Sequence, residues 1–450
     1  MLTATSRDTT YATHVNPQWV RLLDVLGMNV RYERCTGDAL HGEDGTTYLD
    51  FLSGYGVYNV GHNHPRLVAA LRRELEGSGP GMLQSHVPEL AGELAARLCA
   101  RAGGRLSKVF FTSSGSEGIE TVMKFARAHT RRERILFASG AFHGLTCGAL
   151  SLMDTPFWTD GFGPRLPATD AVPFGDADAV TRLLATQRYA AVVLEPIQAE
   201  AGIRMPPERY LHAVEAACAR HGTLLVLDEV QTGLHRTGSF LAASHFGVEP
   251  DMLVLAKALS GGFVPVGAVL MTDVVHASVY SSLDRAFVHA STFGENSLAM
   301  RAGLTTLEIL EDEQLGPRAD ALGAELRAAL TEALAPFEMV EDVRGLGLFC
   351  GIAFRPPTRA RLRAPYLLFE QAHAGLFGQM IVRALFARHR ILTQVCGNNF
   401  RVLKVAPPLV VQRSSLDRFV AAIRDVMEEV HTSRRFWSDA LALAGRALRA

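Results

Sequence analysis

Several absences narrow the reading before any motif is considered. The 450-residue chain has no run approaching the roughly 18 consecutive apolar residues of a membrane helix, so no membrane span is expected. Its first residues, MLTATSRDTTYATHVNPQW, lack the charged-then-apolar pattern of a secretory signal, which makes a cytoplasmic location the expectation. Six cysteines, Cys35, Cys99, Cys147, Cys218, Cys350 and Cys396, stand at no CxxC spacing. Neither a zinc ribbon nor a redox pair is suggested; buried free thiols in a reducing compartment are expected, and no metal. A formal net charge of −1 creates no field that would draw nucleic acid or an anionic membrane. No internal repeat or low-complexity segment stands out. What is present is ordinary globular composition, 48% hydrophobic and 20% charged, at a length sufficient for two or three domains around a large core.

The chain is organised around residues 224–262. Two apolar runs, LLVL and MLVL, predict buried strands of a parallel sheet. The first ends at Asp228 and Glu229, the second at Lys257. Side chains at the carboxyl ends of parallel strands face the crevice where such sheets bind ligands. An acid and a lysine there make a salt bridge, or they serve a cofactor. A lysine amine forms a Schiff base with an aldehyde, and a carboxylate holds a pyridinium nitrogen protonated. Pyridoxal 5'-phosphate (PLP) needs both.

Other segments place these two in context. Residues 31–52 predict a β-hairpin about Asp44-Gly45, and Ser53 to Pro65 an aromatic loop. From Lys108 the pattern becomes strand, turn, helix, repeated, which implies a parallel sheet with helices on both faces. Residues 296–334 predict one long helical span, with the main domain boundary inside it. Beyond, paired strands about Gly345 and Gly347, further strands and a helix at 415–430 predict a smaller α+β domain. The Arg-rich stretch 355–375 predicts an entrance loop or insertion, and the amphipathic tail offers Trp437, Leu441 and Leu443 for packing. Ser113-Ser114-Gly115-Ser116-Glu117 follows a strand and opens a helix, so free N–H groups and a positive dipole end suit a phosphate. Phe142, at another strand end, presents a face that stacks on a planar ring or packs in a core.

Eight motifs in order then carry a family resemblance: YLDFLSGYGVYNVGHNHP, FFTSSGSEGIETVMKFAR, GAFHG, EPIQAEAG, LLVLDEVQTGLHRTG, LAKALSGG, STFGENSLA and KVAPPL. From about residue 40 to about residue 430 the chain resembles the class III (ornithine/ω-amino acid) aminotransferases of PLP fold type I. The resemblance implies an α/β protein: a large domain with a mostly parallel sheet flanked by helices, residues 51–315, and a smaller α+β domain, residues 316–450, that also takes in residues 1–50. Lys257 resembles the Schiff-base lysine and proton carrier, and Asp228 the partner of the ring nitrogen. Val230 would pack on the ring opposite Phe142, which His143 follows in the same motif, and Gln231 would bond the phenolic oxygen. Gly115 and Ser116 resemble the phosphate cup. Thr292 resembles a residue that reaches the phosphate of a neighbouring subunit, which implies a homodimer with shared sites.

Two departures concern substrate. The arginine that follows FHG in ornithine-type members is Leu145 here, which binds no anion. The arginine that grips an α-carboxylate is Lys404, which keeps the charge without the planar fork; its shielding glutamate matches Glu200. Arg401 falls on the opposite strand face from Lys404. Tyr55 occupies a position that shapes substrate choice. Together these residues point to an amine or apolar aldehyde, and to a transaminase working in two half-reactions on small-molecule donor and acceptor. A carboxylate grip moved to Arg204, or kept by Lys404, would instead give an ornithine- or acetylornithine-type enzyme. An aminomutase or epimerase uses the same core motifs. A non-catalytic PLP-fold protein is disfavoured by the intact Lys257, Asp228, Gln231 and phosphate cup.

Overall fold

The computed structural model describes residues 6–83, 85–372, 375–433 and 436–438. Leu441 and Leu443 lie outside the described residues; Trp437 is buried. Near the N-terminus stand β1 (Tyr32–Thr36), β2 (Ala39–Gly42) and β3 (Thr47–Asp50). The stretch expected as one arm before Asp44-Gly45 is two strands, because Gly37 at φ +59 reverses the chain between them.

The central region supplies β4 (Leu106–Thr112), β5 (Arg134–Ala138), β6 (Thr169–Val172), β7 (Tyr189–Leu194), β8 (Leu224–Asp228), β9 (Met252–Leu255) and β10 (Gly267–Thr272). They form one seven-stranded sheet in the order β4-β10-β9-β8-β7-β5-β6. The run from β9 to β6 is parallel. Strand β10 is antiparallel to both neighbours, since a single 3-10 turn, Lys257–Ser260, and a short loop lead into it. A parallel return would need a crossover helix.

Strands β7, β8 and β9 are buried throughout, as expected for a sheet covered on both faces. Their side chains alternate between two cores. Val226, Met252 and Val254 pack with Ile119, Val122 and Phe125 of the helix Gly115–Thr130. Leu225, Leu227, Leu253 and Leu255 pack into the larger core on the other face.

The C-terminal region carries β11 (Val340–Leu346), β12 (Phe349–Phe354), β13 (Ile391–Leu392), β14 (Gln394–Cys396) and β15 (Asn399–Val405). Four of them form an antiparallel sheet, β11-β12-β15-β14, while β13 pairs in parallel with β3. The N-terminal strands thus share a sheet with a strand of the C-terminal region. The two units are tied by Arg236, which is fully buried and donates to the carbonyls of Leu348 (3.2 Å) and Pro407 (2.5 Å) and to Asn59 Oδ1 (2.5 Å).

Two expectations are corrected. The long helical span is two helices, Ser297–Asp312 and Leu315–Leu334, broken where Gln314 takes φ 51. The 355–375 stretch is largely a helix, Ala360–Ala372, held by buried Leu362 and Tyr366 one turn apart; its charge-rich composition leaves only that narrow apolar stripe.

Candidate active site

Strands β8 and β9 are adjacent and parallel, so their carboxyl ends open on one side. Asp228 closes β8 and is 5% exposed. Its Oδ1 accepts the Val230 N–H at 3.0 Å and its Oδ2 lies 2.8 Å from His143 Nδ1. Lys257 follows β9 at φ 44, a left-handed conformation rare outside glycine. Burial depresses its amine below the ordinary lysine value, opposed by the carboxylates of Glu200, Asp228 and Glu195. An amine shifted in this direction gives up its proton more readily, which favours its use as a nucleophile.

Both side chains line a cavity of about 370 Å³. Gly115, Ser116, Phe142, His143, Val230, Gln231 and Glu200 line it too, so most residues expected at a site do meet in one place. The helix Gly115–Thr130 opens onto it. Ser114 caps that helix by accepting the Glu117 N–H at 3.2 Å, while Glu117 accepts the Ser113 N–H at 2.6 Å. This is close to a capping box, and it leaves the other first-turn N–H groups for a ligand. Gly144 passes so near that a Cβ there would fall 2.1 Å from Ser116 Oγ. Gln231 Nε2 donates to the Tyr55 carbonyl at 2.8 Å.

Glu200 and Lys404 form an ion pair in which Lys404 has no exposed surface. Burial alone would raise the Glu200 carboxyl, but Lys404 and the Gly397 N–H outweigh it and hold it below its usual range. For Lys404 burial pulls the amine down and Glu200 more than restores it. The Lys404 ammonium also lies 5.4 Å from the Tyr55 ring. Arg401 instead pairs with Glu370. Arg204 donates to the Phe174 carbonyl and lies over the Phe174 ring, so it does not line the cavity. Leu145 is 54% exposed and lies outside the cavity lining. Thr292 lines a different cavity, of about 1060 Å³, with Phe110, Tyr280 and His289. Glu229, although at a strand end, turns inward to accept the N–H groups of Ala242 and Ala243 at 2.7 and 2.8 Å; burial raises it to about 7. Cys218, Cys350 and Cys396 are buried free thiols, but Cys147 is exposed and Cys35 and Cys99 are half-buried.

Three further residues stand at or beside the site, and Glu195, the head of the EPIQAEAG motif, lines the cavity itself. Glu195, directly after β7, accepts the Phe142 N–H and the Ala199 N–H, both at 3.0 Å, and burial raises it to about 7. The strand-end rule that found Asp228 would have found it. Trp158 and Asn398, joined by a hydrogen bond of 2.7 Å, carry no comparable signal.

The fit of PLP is testable on this geometry. A helix N-terminus suits its phosphate. A buried carboxylate with only His143 and one N–H as partners suits a protonated ring nitrogen. Among the described residues no group of His, Cys, Asp and Glu is placed to hold a metal. A parallel sheet with lysine and aspartate at adjacent strand ends, beside such a helix, defines a fold type I PLP protein, and PLP is the cofactor.

Comparison makes the family explicit. The class-III aminotransferase family model matches residues 24–427, and the chain belongs to that family. It is 35% identical to the aminotransferase PigE of a Serratia species over 94% of its length, but spans 53% of that protein. It is 37% identical to the putrescine aminotransferase of Pectobacterium atrosepticum, covering 86% of this chain and 80% of the relative. The ornithine aminotransferase of Toxoplasma gondii has a similar structure, with a TM-score of 0.81, 28% identity, and 96% and 97% of the two chains covered. Among the described residues no helix is long and apolar enough to cross a membrane.

Proposed function

We propose that this chain is a PLP-dependent transaminase that moves an amino group from an amine or ω-amino compound to an aldehyde or keto acceptor, in two half-reactions, through a pocket tuned to an amine or apolar aldehyde. The observation that carries the donor class is the Glu200–Lys404 pair. Among the described residues Lys257 is the one lysine or arginine lining the cavity, and Lys404, paired with the cavity-lining Glu200, is already neutralised. A substrate carboxylate entering this chain's pocket therefore finds no free partner, and an unpaired buried charge is costly. The putrescine aminotransferase among the relatives fits this reading. The ornithine-type reading is favoured by the shared structure and requires Glu200 to release Lys404.

When bound, PLP supplies an aldehyde to amines and a ring that takes up an electron pair. The Lys257 amine would hold that aldehyde and would carry the proton that leaves the substrate's reacting carbon. Asp228, oriented by His143 and the Val230 N–H, would hold the ring-nitrogen proton. Phe142 and Val230 would exclude water from the ring faces, Gln231 would orient the phenolic oxygen, and Gly115 and Ser116 would hold the phosphate. Tyr55 and Leu145 are assigned to the substrate side. Thr292, remote from its own Lys257 cavity, would serve the phosphate of a second copy in a homodimer. The domains are taken as 51–315 and 316–450 with 1–50, and the location as cytoplasmic.

The test is the first half-reaction alone. Purified enzyme loaded with PLP is titrated with putrescine, a plain alkylamine, β-alanine, L-lysine, L-ornithine or L-glutamate, and the cofactor absorbance is followed. Conversion by the simple amines, with glutamate poor, is expected. Ready conversion by glutamate or ornithine overturns the donor class, and turnover by Lys257→Ala overturns the reaction.

A further inference from the structure

Asp50 stands outside the cavity lining, yet a short run of backbone ties it to that lining. It closes β3 at 1% exposure and pairs with Leu392 of β13. Its Oδ1 accepts two backbone N–H groups, those of Leu52 and Ser53, each at 2.8 Å. Its Oδ2 lies 2.7 Å from His62 Nε2. The His62 ring rests against Tyr58, 3.9 Å between centroids, so the carboxylate is held with Oδ1 toward the chain that follows. The N–H groups it accepts open an unusual turn. Ser53, Gly54, Tyr55 and Gly56 take φ of 52, 58, 62 and 86 in succession. For Ser53 and Tyr55 this left-handed conformation is costly. The turn presents the Tyr55 carbonyl to Gln231 Nε2 at 2.8 Å and leads into Val57. Gln231 and Val57 both line the cavity.

We infer that Asp50 is a positioning residue for the cofactor: it holds the left-handed turn that fixes the amide of Gln231. The inference rests on the reading above, in which Gln231 orients the phenolic oxygen of PLP, and adds what orients Gln231. An amide turns about a soft final torsion and can present either its oxygen or its nitrogen. A carbonyl only accepts, so the Tyr55 carbonyl takes the nitrogen end. One N–H of Nε2 is committed to it, and the other N–H and Oε1 then keep fixed directions. Without Asp50 the Leu52 and Ser53 N–H groups lose a buried acceptor, and the strain at Ser53 and Tyr55 is less opposed. The turn then relaxes toward ordinary φ, withdraws the Tyr55 carbonyl and frees the amide.

The test is PLP binding by the full-length protein, with no amine present. It is read as a dissociation constant and as the absorbance band of the loaded enzyme. Gln231→Ala and Asp50→Ala should each weaken binding by about tenfold, the worth of one hydrogen bond, and displace the band in the same direction. The double variant should bind no more weakly than the weaker single one, because Asp50 acts through Gln231. Asp50→Asn keeps an oxygen for both N–H groups, and its NH2 suits the other His62 tautomer; it should stay within about threefold of wild type. Tyr55→Pro leaves Asp50 in place but cannot take a positive φ. It should reproduce Asp50→Ala, and it decides by the same cycle with Gln231→Ala if Asp50→Ala does not fold. Losses that add in the double variant mark a merely structural carboxylate and overturn the inference, as does an Asp50→Ala enzyme that binds PLP like wild type. Either result leaves the Gln231 reading standing. A Gln231→Ala enzyme with unchanged affinity and band overturns the Gln231 reading, and this inference with it.

Discussion

Removing Lys404 should destabilise the protein in a manner that depends on pH. In Lys404→Met the Glu200 carboxyl loses its cation and keeps one donor, the Gly397 N–H at 2.7 Å. Two other buried carboxyls show what burial does where no lysine or arginine pairs with the group: Glu195, against the pull of His143, and Glu229 are raised from 4.5 to about 7. If Glu200 joins them, the folded state holds its proton more tightly than the unfolded state does. At about 1.4 kcal/mol per pH unit the penalty at neutral pH is about 3 kcal/mol, near the lower end of the range for breaking a buried pair. In the wild type the Glu200 carboxyl is held low, so its contribution is complete above its ordinary value and is lost as pH falls through the folded one. In the variant the order reverses. The penalty is absent well below pH 4.5 and full above about 7. Lys404 itself, held above its ordinary value, stays charged throughout this window. Melting temperatures of wild type and Lys404→Met at a fixed saturating PLP concentration should therefore differ more at pH 8 than at pH 5. Adding Glu200→Gln to Lys404→Met should recover most of the loss at pH 8. A gap of equal size at both pH values, or a double variant as unstable as the single, refutes the reasoning.

Other outcomes follow from single contacts. Gly144→Ala places a Cβ 2.1 Å from Ser116 Oγ at φ +121; it should weaken PLP binding by at least about tenfold, read as the dissociation constant of the apoenzyme for PLP. Arg236→Met strips donors from the carbonyls of Leu348 and Pro407 and from Asn59; it should cost about 3 kcal/mol in urea unfolding, and Arg236→Lys, with no planar fork, should not rescue it. Ser114→Ala removes the cap on the helix that opens at Gly115 and should cost about 1 kcal/mol in the same assay. Borohydride reduction of the PLP-loaded enzyme should fix the cofactor to the tryptic peptide containing Lys257, and a modified peptide elsewhere would displace that assignment.

Much of the sheet was legible because its strands are buried on both faces. LLVL and MLVL allow few alternatives, and Asp228 and Lys257 stand out as the first polar residues after each. The same geometry explains Glu195, which stands one residue beyond β7 at the head of the EPIQAEAG motif. Strand direction was less legible. Nothing in VGAVLM distinguishes an antiparallel strand from a parallel one; the shortness of the connection after Lys257 decides it. Composition misled at 355–375, where arginines obscured a stripe only two buried side chains wide.

The contact between Trp158 and Asn398 was illegible for a different reason. Trp158 and Asn398 are 240 positions apart, and neither stands in a periodic or charged pattern. They meet because the turn between β14 and β15 comes from the smaller unit and docks on loops of the larger one. Asn398 binds at Gly140, Trp158 and Glu200 together. Cofactor residues sit at strand ends of one sheet, where topology alone brings them together. Contacts such as that between Trp158 and Asn398 are set by how distant segments of the chain pack together, which no local pattern encodes. Lys404 shows both sides of this. Its position was legible from the prolines that follow it, yet its function depends on Glu200 lying against it. That contact leaves its charge neutralised and so unavailable to a substrate carboxylate.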